Sequence, residues 1–256
     1  IDFVKVDDIC VTEFRKWDNP YSAREEVEMI RKAIDKTGRD IVLSLSPGPA
    51  EISVADHLCE YANMWRLTGD FWDWWDKLYE MFDKCEKWAP YVSEGCWPDC
   101  DMLPLGNLSR NGSCHGPQDR YTQFTKDEQI TLMTLWSIFR SPLMFGGEMR
   151  NNDEWTLSLM TNEEVLDVNQ HSHDGKQIYR DEDTIIWSAI SSDNKPLIAI
   201  FNVSENEKEI TVDLTEYNLA GEYTLRDLWA KEDICNIKDK IICTVNSHGA
   251  KLFKLK

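Results

Sequence analysis

Positive charge is scarce in this sequence, and no uninterrupted apolar stretch is long. Lysine and arginine total 28 against 46 aspartates and glutamates, which gives a formal net charge of -18. A surface of that sign repels a phosphate backbone or an anionic bilayer. No apolar stretch approaches the roughly 18 residues that a membrane-spanning helix needs. We therefore expect neither nucleic acid nor membrane as a partner, whereas a neutral ligand such as a sugar is indifferent to the charge.

Metal-binding patterns are also missing. None of the eight cysteines belongs to a Cys-x-x-Cys pair, and the five histidines show no metal-ligand spacing. The sequence does not indicate which cysteines form disulfides, so the redox compartment stays open. The composition, with 42% hydrophobic and 29% charged residues and no low-complexity tract, is that of an ordinary globular protein.

Strand and helix patterns alternate over the first two thirds of the chain. Strands are predicted at 3–6, 41–45, 63–67 and 142–145, and helices at about 54–61, 71–87 and 126–139. A further helix is opened by Asp18, Asn19 and Pro20 and closed by Gly38. This alternation predicts an α/β fold built from parallel βαβ units.

The pattern changes near residue 170. From there on the chain contains short alternating strands separated by turn residues, at 184–190, 197–201, 209–212, 241–245 and 251–255. Short strands of this kind are typical of an antiparallel β-sandwich. We therefore predict two domains, a (β/α) barrel portion at residues 1–170 and a C-terminal antiparallel β-sandwich domain at residues 171–256.

The first predicted strand has charged residues at its carboxyl end. Side chains alternate along a strand, so Phe3, Lys5 and Asp7 share one face while Val4 and Val6 share the other. In a β/α barrel the inward face at the carboxyl end of a strand forms the active site, so Lys5 and Asp7 would point into it. A cation beside Asp7 would favour the carboxylate form that a nucleophile requires. A structural ion pair explains this segment equally well.

Asp70 follows the third predicted strand and precedes a helix that carries several tryptophans. Its simplest role is an N-cap for that helix, and the segment taken alone favours this role. However, Trp65 and Trp72 flank Asp70 in sequence, and an aromatic wall raises the pKa of a carboxyl, which suits a proton donor. Two carboxylates in contrasting environments are what glycosidic bond cleavage needs.

Arg66 lies between Trp65 and Asp70 in the sequence and has two candidate roles. Its planar guanidinium can bind sugar hydroxyls, or it can hold a neighbouring carboxylate such as Asp101 in place. The second role is at least as well supported by the sequence as the first.

Five segments of the chain are informative as an ordered set. Phe3-Val4-Lys5-Val6-Asp7 ends a strand on an aspartate, and Trp65-Arg66-Leu67-Thr68-Gly69-Asp70 places another after a Trp-Arg pair. Asp99-Cys100-Asp101-Met102-Leu103 follows, and then residues 135–149 and 162–170. In this order they resemble the nucleophile strand, the acid/base segment, the Asp-Pro-Asp-Met-Leu segment and two later segments of glycoside hydrolase family 27, the α-galactosidase and melibiase family.

The resemblance implies a (β/α)8-type barrel, of which strands four to eight are present in this chain, followed by the β-sandwich domain. It also implies a retaining hydrolase of terminal α-galactosides that needs no cofactor, with Asp7 as nucleophile and Asp70 as general acid/base. The expected substrate-binding residues are Lys5, Arg66, Ser46 and Trp65, with Asp101 supporting them. Localisation is unknown, although the resemblance favours the periplasm or secretion.

Ser46 departs from the α-galactosidase pattern. α-Galactosidases of the family commonly have a glutamate after this strand, whereas the N-acetylgalactosaminidase members resemble the present chain in having serine. The alternative substrates are α-N-acetylgalactosaminides or β-L-arabinopyranosides, sugars that share the axial C4 hydroxyl. A non-catalytic carbohydrate-binding fragment is an alternative of a different class.

The resemblance also covers only part of a barrel. Five βα units are present and the first three are missing, and the start at Ile1-Asp2-Phe3-Val4 suggests that something preceded it. An incomplete barrel leaves the first strand with an unpaired edge. We therefore expect that the chain is a fragment or one half of a split enzyme, inactive without an N-terminal half-barrel chain as partner.

Overall fold

The computed structural model describes residues 1–9, 23–109 and 119–256. These residues form two compact units. The first unit comprises residues 1–72, 83–102 and 141–144, and the second comprises 73–82, 103–140 and 145–256. The predicted domain boundary at residue 170 separates types of secondary structure, and it stays a prediction.

The first unit contains a four-stranded parallel sheet. Its strands are β1 (Phe3–Asp7), β2 (Val42–Ser46), β3 (Met64–Arg66) and β4 (Trp97–Asp99), in the order β1-β2-β3-β4. Every neighbouring pair is parallel, which confirms the predicted parallel sheet. The carboxyl ends of the four strands therefore meet at one edge.

The helices between these strands are α1 (Arg24–Asp35), α2 (Ala55–Tyr61) and α3 (Trp75–Trp88). Val27 and Ile34, seven residues apart on α1, are buried, as expected for one face of an amphipathic helix. The start predicted for this helix at residues 18–20 lies outside the described residues. Helix α3 begins at residue 75, four residues later than predicted.

Apolar side chains on the helix-facing side of the sheet form the core of the first unit. Leu43, Leu45 and Trp65 are fully buried, and the Trp65 ring lies 5.8 Å from that of Trp88 on α3. A strand predicted at 142–145 is not formed; Phe145 makes only an isolated parallel bridge to Leu103, within the second unit. Pro142 cannot donate a ladder hydrogen bond, which accounts for the loss of regular pairing at its own position.

The second unit contains a short antiparallel pair of strands and three further helices. The paired strands are β5 (Asn107–Ser109) and β6 (Arg120–Tyr121), and the helices are α4 (Lys126–Phe139), α5 (Glu154–Met160) and α6 (Glu163–His171). Helix α4 has the bounds that the sequence predicts. It begins with a capping box, in which Glu128 N donates to Thr125 Oγ1 and Thr125 N donates to Glu128 Oε2.

An antiparallel β-sandwich completes the second unit, as predicted. Its strands are β7 (His173–Arg180), β8 (Thr184–Ile190), β9 (Pro196–Asn202), β10 (Lys208–Asp213), β11 (Glu222–Asp227), β12 (Glu232–Lys238), β13 (Lys240–Val245) and β14 (Ala250–Leu255). One sheet has the order β12-β11-β14-β9-β8-β7 and the other pairs β10 with β13. Their apolar side chains share one core, which includes Ile198, Ile200, Val212, Ile241 and Phe253. The sequence did not predict β7, β11 or β12.

None of the helices in the described ranges has the length and apolarity needed to cross a bilayer.

The capping box at the start of α4 gives a stability prediction. Thr125→Ala should lower the free energy of unfolding by about 1 kcal/mol, because the Glu128 amide loses its acceptor. Thr125→Ser, which keeps the hydroxyl, should stay close to the wild type. Denaturant unfolding of the three proteins measures both differences, and equal losses in the two variants would contradict the capping role.

Candidate active site

In-register pairing brings polar side chains together on one face of the parallel sheet. Asp7 lies opposite Ser46 across β1 and β2, and Arg66 lies opposite Asp99 across β3 and β4. Arg66 Nη1 donates to Ser46 Oγ at 3.4 Å, which links the two pairs. Side chains in register project to the same side of a sheet. One face of the carboxyl edge therefore presents Asp7, Ser46, Arg66 and Asp99.

Lys5 and Asp7 are exposed on strand β1, whereas Val4 and Val6 are half-buried. The predicted alternation of this strand is therefore confirmed, and Asp7 is its last residue. The neighbouring Asp8 has a left-handed backbone with φ +54°, and its amide donates to Ser46 O at 2.9 Å. The chain thus turns sharply after Asp7.

Arg66 is the centre of the contacts at this edge. It is only 5% exposed, and burial of a cation is costly unless carboxylates or other acceptors surround it. Its Nη1 and Nη2 each lie 3.3 Å from Asp70 Oδ1, and Nη2 also donates to Thr68 O at 3.1 Å. A second carboxylate oxygen, Asp101 Oδ2, lies 3.3 Å from Nη2. The predicted pairing of Arg66 with Asp101 is therefore present.

Asp70 is not an N-cap. Helix α3 begins only at Trp75, so Asp70 lies in the preceding loop, where its side chain is 73% exposed and contacts Arg66. The sequence favours the cap because it predicts the helix from residue 71, and the late start of the helix removes that role. An exposed carboxylate that an arginine holds at the sheet edge is accessible to a ligand.

Trp65 does not fit its predicted role as a sugar contact. It is fully buried, and its ring packs against Trp88 of α3. Since successive residues of a strand face opposite sides, Trp65 lies behind the sheet when Arg66 lies in front. The aromatic wall predicted for Asp70 is therefore not supplied by Trp65, and we leave Trp65 out of the candidate site.

Asp99 is a member of this cluster that the sequence does not single out. It ends β4, is 4% exposed, and its Oδ1 accepts a hydrogen bond of 2.8 Å from the Asp101 amide. Burial raises the pKa of Asp99 to about 6, and the negative charge of Asp101 acts in the same direction. The Asp101 amide, Arg66 and Lys5 oppose the rise. The Asp-x-Asp spacing was the only available sequence signal, because burial depends on the tertiary fold.

Acidic and basic side chains are close together at this edge. Lys5 lies on the same face as Asp7, and Asp70 and Asp101 contact Arg66. A second acid nearby favours retention of a proton, and Asp101 acts on the buried Asp99 in this way. Within the described part of the chain, no group of three or more His, Cys, Asp or Glu side chains is placed to hold a metal ion.

Active sites of β/α barrels lie at the carboxyl edge of the parallel strands, and most glycoside hydrolases use a pair of carboxylates. Comparison with known proteins agrees. The family model described as alpha galactosidase A matches residues 1–171, and the alpha galactosidase C-terminal beta sandwich domain matches residues 181–255. The chain belongs to glycoside hydrolase family 27, the α-galactosidase family.

Similar proteins include enzymes named for different sugars. Alpha-galactosidase 2 of Arabidopsis thaliana is 28% identical over 251 residues, which cover 95% of this chain and 60% of the relative. Among solved structures, a family 27 β-L-arabinopyranosidase from Geobacillus stearothermophilus is 50% identical, with a TM-score of 0.94. A candidate α-N-acetylgalactosaminidase from Bacillus halodurans is 42% identical, with a TM-score of 0.84. Both structural matches cover 100% of this chain and 58% of the solved chain.

The buried Asp99 gives a prediction on pH and stability. Below its ordinary pKa of 3.8 the carboxyl is protonated in the folded and the unfolded chain alike. Between 3.8 and about 6 the unfolded chain loses the proton first, so the contribution of Asp99 to stability falls as pH rises. At about 1.4 kcal/mol per pKa unit, the total fall is about 3 kcal/mol.

Asp99→Asn removes this titration. The unfolding free energy of the variant minus that of the wild type should therefore rise by up to about 3 kcal/mol between pH 4 and pH 7. Denaturant unfolding at several pH values measures the difference, and Asp2→Asn, at an exposed carboxylate, is the control with a nearly flat difference. A flat difference for Asp99→Asn as well would show that burial does not perturb this carboxyl.

Proposed function

We propose that this chain is the part of a retaining family 27 glycosidase that carries both catalytic acids, Asp7 as nucleophile and Asp70 as general acid/base. The observation that carries the proposal is that both carboxylates lie at the carboxyl edge of one parallel sheet. Asp7 pairs in register with Ser46, and Arg66 contacts both Ser46 and Asp70. No cofactor is required by this chemistry.

The reaction proceeds in two displacements. In the first, the Asp7 carboxylate forms a bond to the anomeric carbon while the glycosidic bond breaks and the Asp70 carboxyl gives its proton to the leaving oxygen. In the second, Asp70, now ionised, takes a proton from water, the water oxygen bonds to the anomeric carbon, and Asp7 is released. Configuration at the anomeric carbon is retained because it inverts twice.

The other residues of the cluster orient these two groups. Lys5 places positive charge on the face from which Asp7 would attack, and Ser46 and Arg66 offer donors to sugar hydroxyls between the two acids. The largely buried Asp101 side chain, which is 12% exposed, holds the Arg66 guanidinium at 3.3 Å. Arg66 thus has fixed partners before any substrate arrives, which lowers the cost of binding.

We propose a β-L-arabinopyranoside as the preferred substrate, ahead of the α-galactoside that motif resemblance alone favours. The support is the 50% identity to the Geobacillus stearothermophilus β-L-arabinopyranosidase, a variant of which was solved in complex with arabinose. The curated α-galactosidase of Arabidopsis thaliana is only 28% identical. These sugars share the axial C4 hydroxyl, so one site can bind several of them with different affinities.

We also propose that activity requires an N-terminal half-barrel. The chain spans 58% to 60% of the relatives described above. Strand β1 is an edge strand of the described sheet, and Ile1 and Phe3 are 79% and 41% exposed. An exposed apolar edge of this kind favours pairing with another strand.

The catalytic roles are tested by substitution in the chain combined with an N-terminal half-barrel. Asp7→Asn should abolish turnover of every glycoside. Asp70→Asn should lower turnover about 10²- to 10⁴-fold for sugar leaving groups, and less for nitrophenyl leaving groups, which need little protonation.

Asp8→Asn is the matched control. It lies next to the nucleophile and has a left-handed backbone that asparagine also adopts, so it should keep most of the activity. Comparable losses of turnover in Asp7→Asn and Asp8→Asn would contradict the assigned roles. So would a loss of turnover in Asp70→Asn that is the same for sugar and nitrophenyl leaving groups.

A substrate panel tests the preferred sugar. Hydrolysis of nitrophenyl β-L-arabinopyranoside, α-D-galactopyranoside and N-acetyl-α-D-galactosaminide should rank in that order of kcat/KM. A higher kcat/KM for either of the other sugars would overturn the substrate proposal while leaving the mechanism intact. Sugar binding without turnover, even with the N-terminal half present, would favour a non-catalytic binding fragment.

A further inference from the structure

Asp99 is a buried carboxylate that the proposed displacements do not use. It is 4% exposed at the end of β4 and lies in register with Arg66. A carboxylate at such a position is unfavourable unless it makes bonds that the fold requires. For Asp99 the bond is one to the backbone of Asp101.

The backbone of Asp101, two residues after Asp99, has an unusual conformation. Asp101 has φ +74°, in the left-handed region that an L-residue with a side chain adopts at a cost. Asp99 Oδ1 accepts the Asp101 amide at 2.8 Å, a turn in which an aspartate side chain fixes the backbone that follows it. The bond therefore stabilises the strained conformation of Asp101.

From this conformation Asp101 reaches the candidate active site. Its Oδ2 accepts a hydrogen bond of 2.8 Å from the Phe71 amide and lies 3.3 Å from Arg66 Nη2. Phe71 directly follows Asp70 in the chain, and Arg66 contacts the Asp70 carboxylate. Asp101 therefore constrains Asp70 in two ways, through the neighbouring backbone and through the guanidinium.

We propose that Asp99 is a positioning residue of this site, whose side chain holds Asp101 in the conformation that fixes Arg66 and the backbone beside Asp70. The catalytic meaning of this role rests on the proposed function of Asp70. The structural linkage from residue 99 through Asp101 to Phe71 does not, so the two can be tested separately.

Amide hydrogen exchange in the 256-residue chain tests the linkage. Asp99→Ala should lower the protection of the Asp101 and Phe71 amides by about tenfold, because the first loses its acceptor and the second loses a fixed partner. Asp99→Asn keeps an acceptor oxygen and should retain most of the protection. Unchanged protection of Phe71 in Asp99→Ala, or equal losses in both variants, would overturn the proposal.

Asp227→Ala is a matched control for general loss of stability. Asp227 is also 4% exposed, and its Oδ1 accepts the amides of Trp229 and Ala230. Its substitution should lower protection at those two amides and leave Asp101 and Phe71 unchanged. Loss at Phe71 in this control as large as in Asp99→Ala would mean that the effect is not specific, and would overturn the proposal.

If Asp99→Ala does not fold, the wild-type chain supplies a second measurement. The chemical shift of the Asp101 amide should follow protonation of the Asp99 carboxyl, with a midpoint near pH 6, and that step should be missing in Asp99→Asn. The charged groups that face Asp99 are Lys5, Arg66 and Asp101. A shift that is the same in both proteins throughout the titration would overturn the linkage.

Activity measured in the presence of an N-terminal half-barrel tests the catalytic role of Asp70 separately from the structural linkage between Asp99 and Phe71. Asp99→Ala should lower kcat more than it raises KM, and Asp99→Asn should restore most of kcat but alter the pH profile near pH 6. If Asp99→Ala loses protection at the Asp101 and Phe71 amides but none of the proteins hydrolyses a glycoside, the proposed function is contradicted and the linkage is supported. An active wild type matched by Asp99→Ala in kcat, KM and pH profile would overturn the positioning role and leave the function standing.

Discussion

The guanidinium of Arg66 is the constraint on which the carboxyl edge of the sheet depends. A cation that is 5% exposed cannot stay in the fold without acceptors around it. The structure supplies them from three places, the end of β2, the loop after β3 and the loop after β4. All three segments therefore meet at the guanidinium. Asp70 contacts it directly, and Asp7 lies in register with Ser46, which accepts one of its hydrogen bonds.

The acidic cluster holds its members in unequal surroundings. Asp7, Asp70, Asp99 and Asp101 lie with Lys5 and Arg66, and they range from the exposed Asp70 to the buried Asp99. Burial raises the pKa of Asp99 to about 6. Asp99 takes no part in the proposed displacements, so its proton bears on the position of Asp101 and not on the transfer to the leaving oxygen.

Much of the fold was predictable because it follows from local patterns. The predicted bounds of α4 and β8 agree with the structure, because the local pattern of apolar residues marks both segments. The parallel sheet follows from the alternation of strands with helices. Polar strands such as β7 and β12 have no such apolar pattern, and they form only because a neighbouring strand provides their partners.

The site was predictable where it depends on strand alternation and not where it depends on packing. The face shared by Lys5 and Asp7 followed from the period of two, and the Arg66 to Asp101 pair from side-chain chemistry. Trp65 was expected to contact the sugar and to lie beside Asp70, but its strand directs it to the helices, on the face opposite Arg66. Asp99 was overlooked since its burial arises from β3 and β4 together.

The central claim is that Asp7 forms a bond to the sugar while Asp70 acts as acid and then as base. Trapping the intermediate tests it most directly: a 2-deoxy-2-fluoro glycosyl fluoride is incubated with the chain and an N-terminal half-barrel, and the labelled peptide is sequenced by mass spectrometry. We predict one covalent glycosyl group on the Asp7 carboxylate, and none in Asp7→Asn. A label on any other residue, or turnover of glycosides with inversion at the anomeric carbon, would contradict the account.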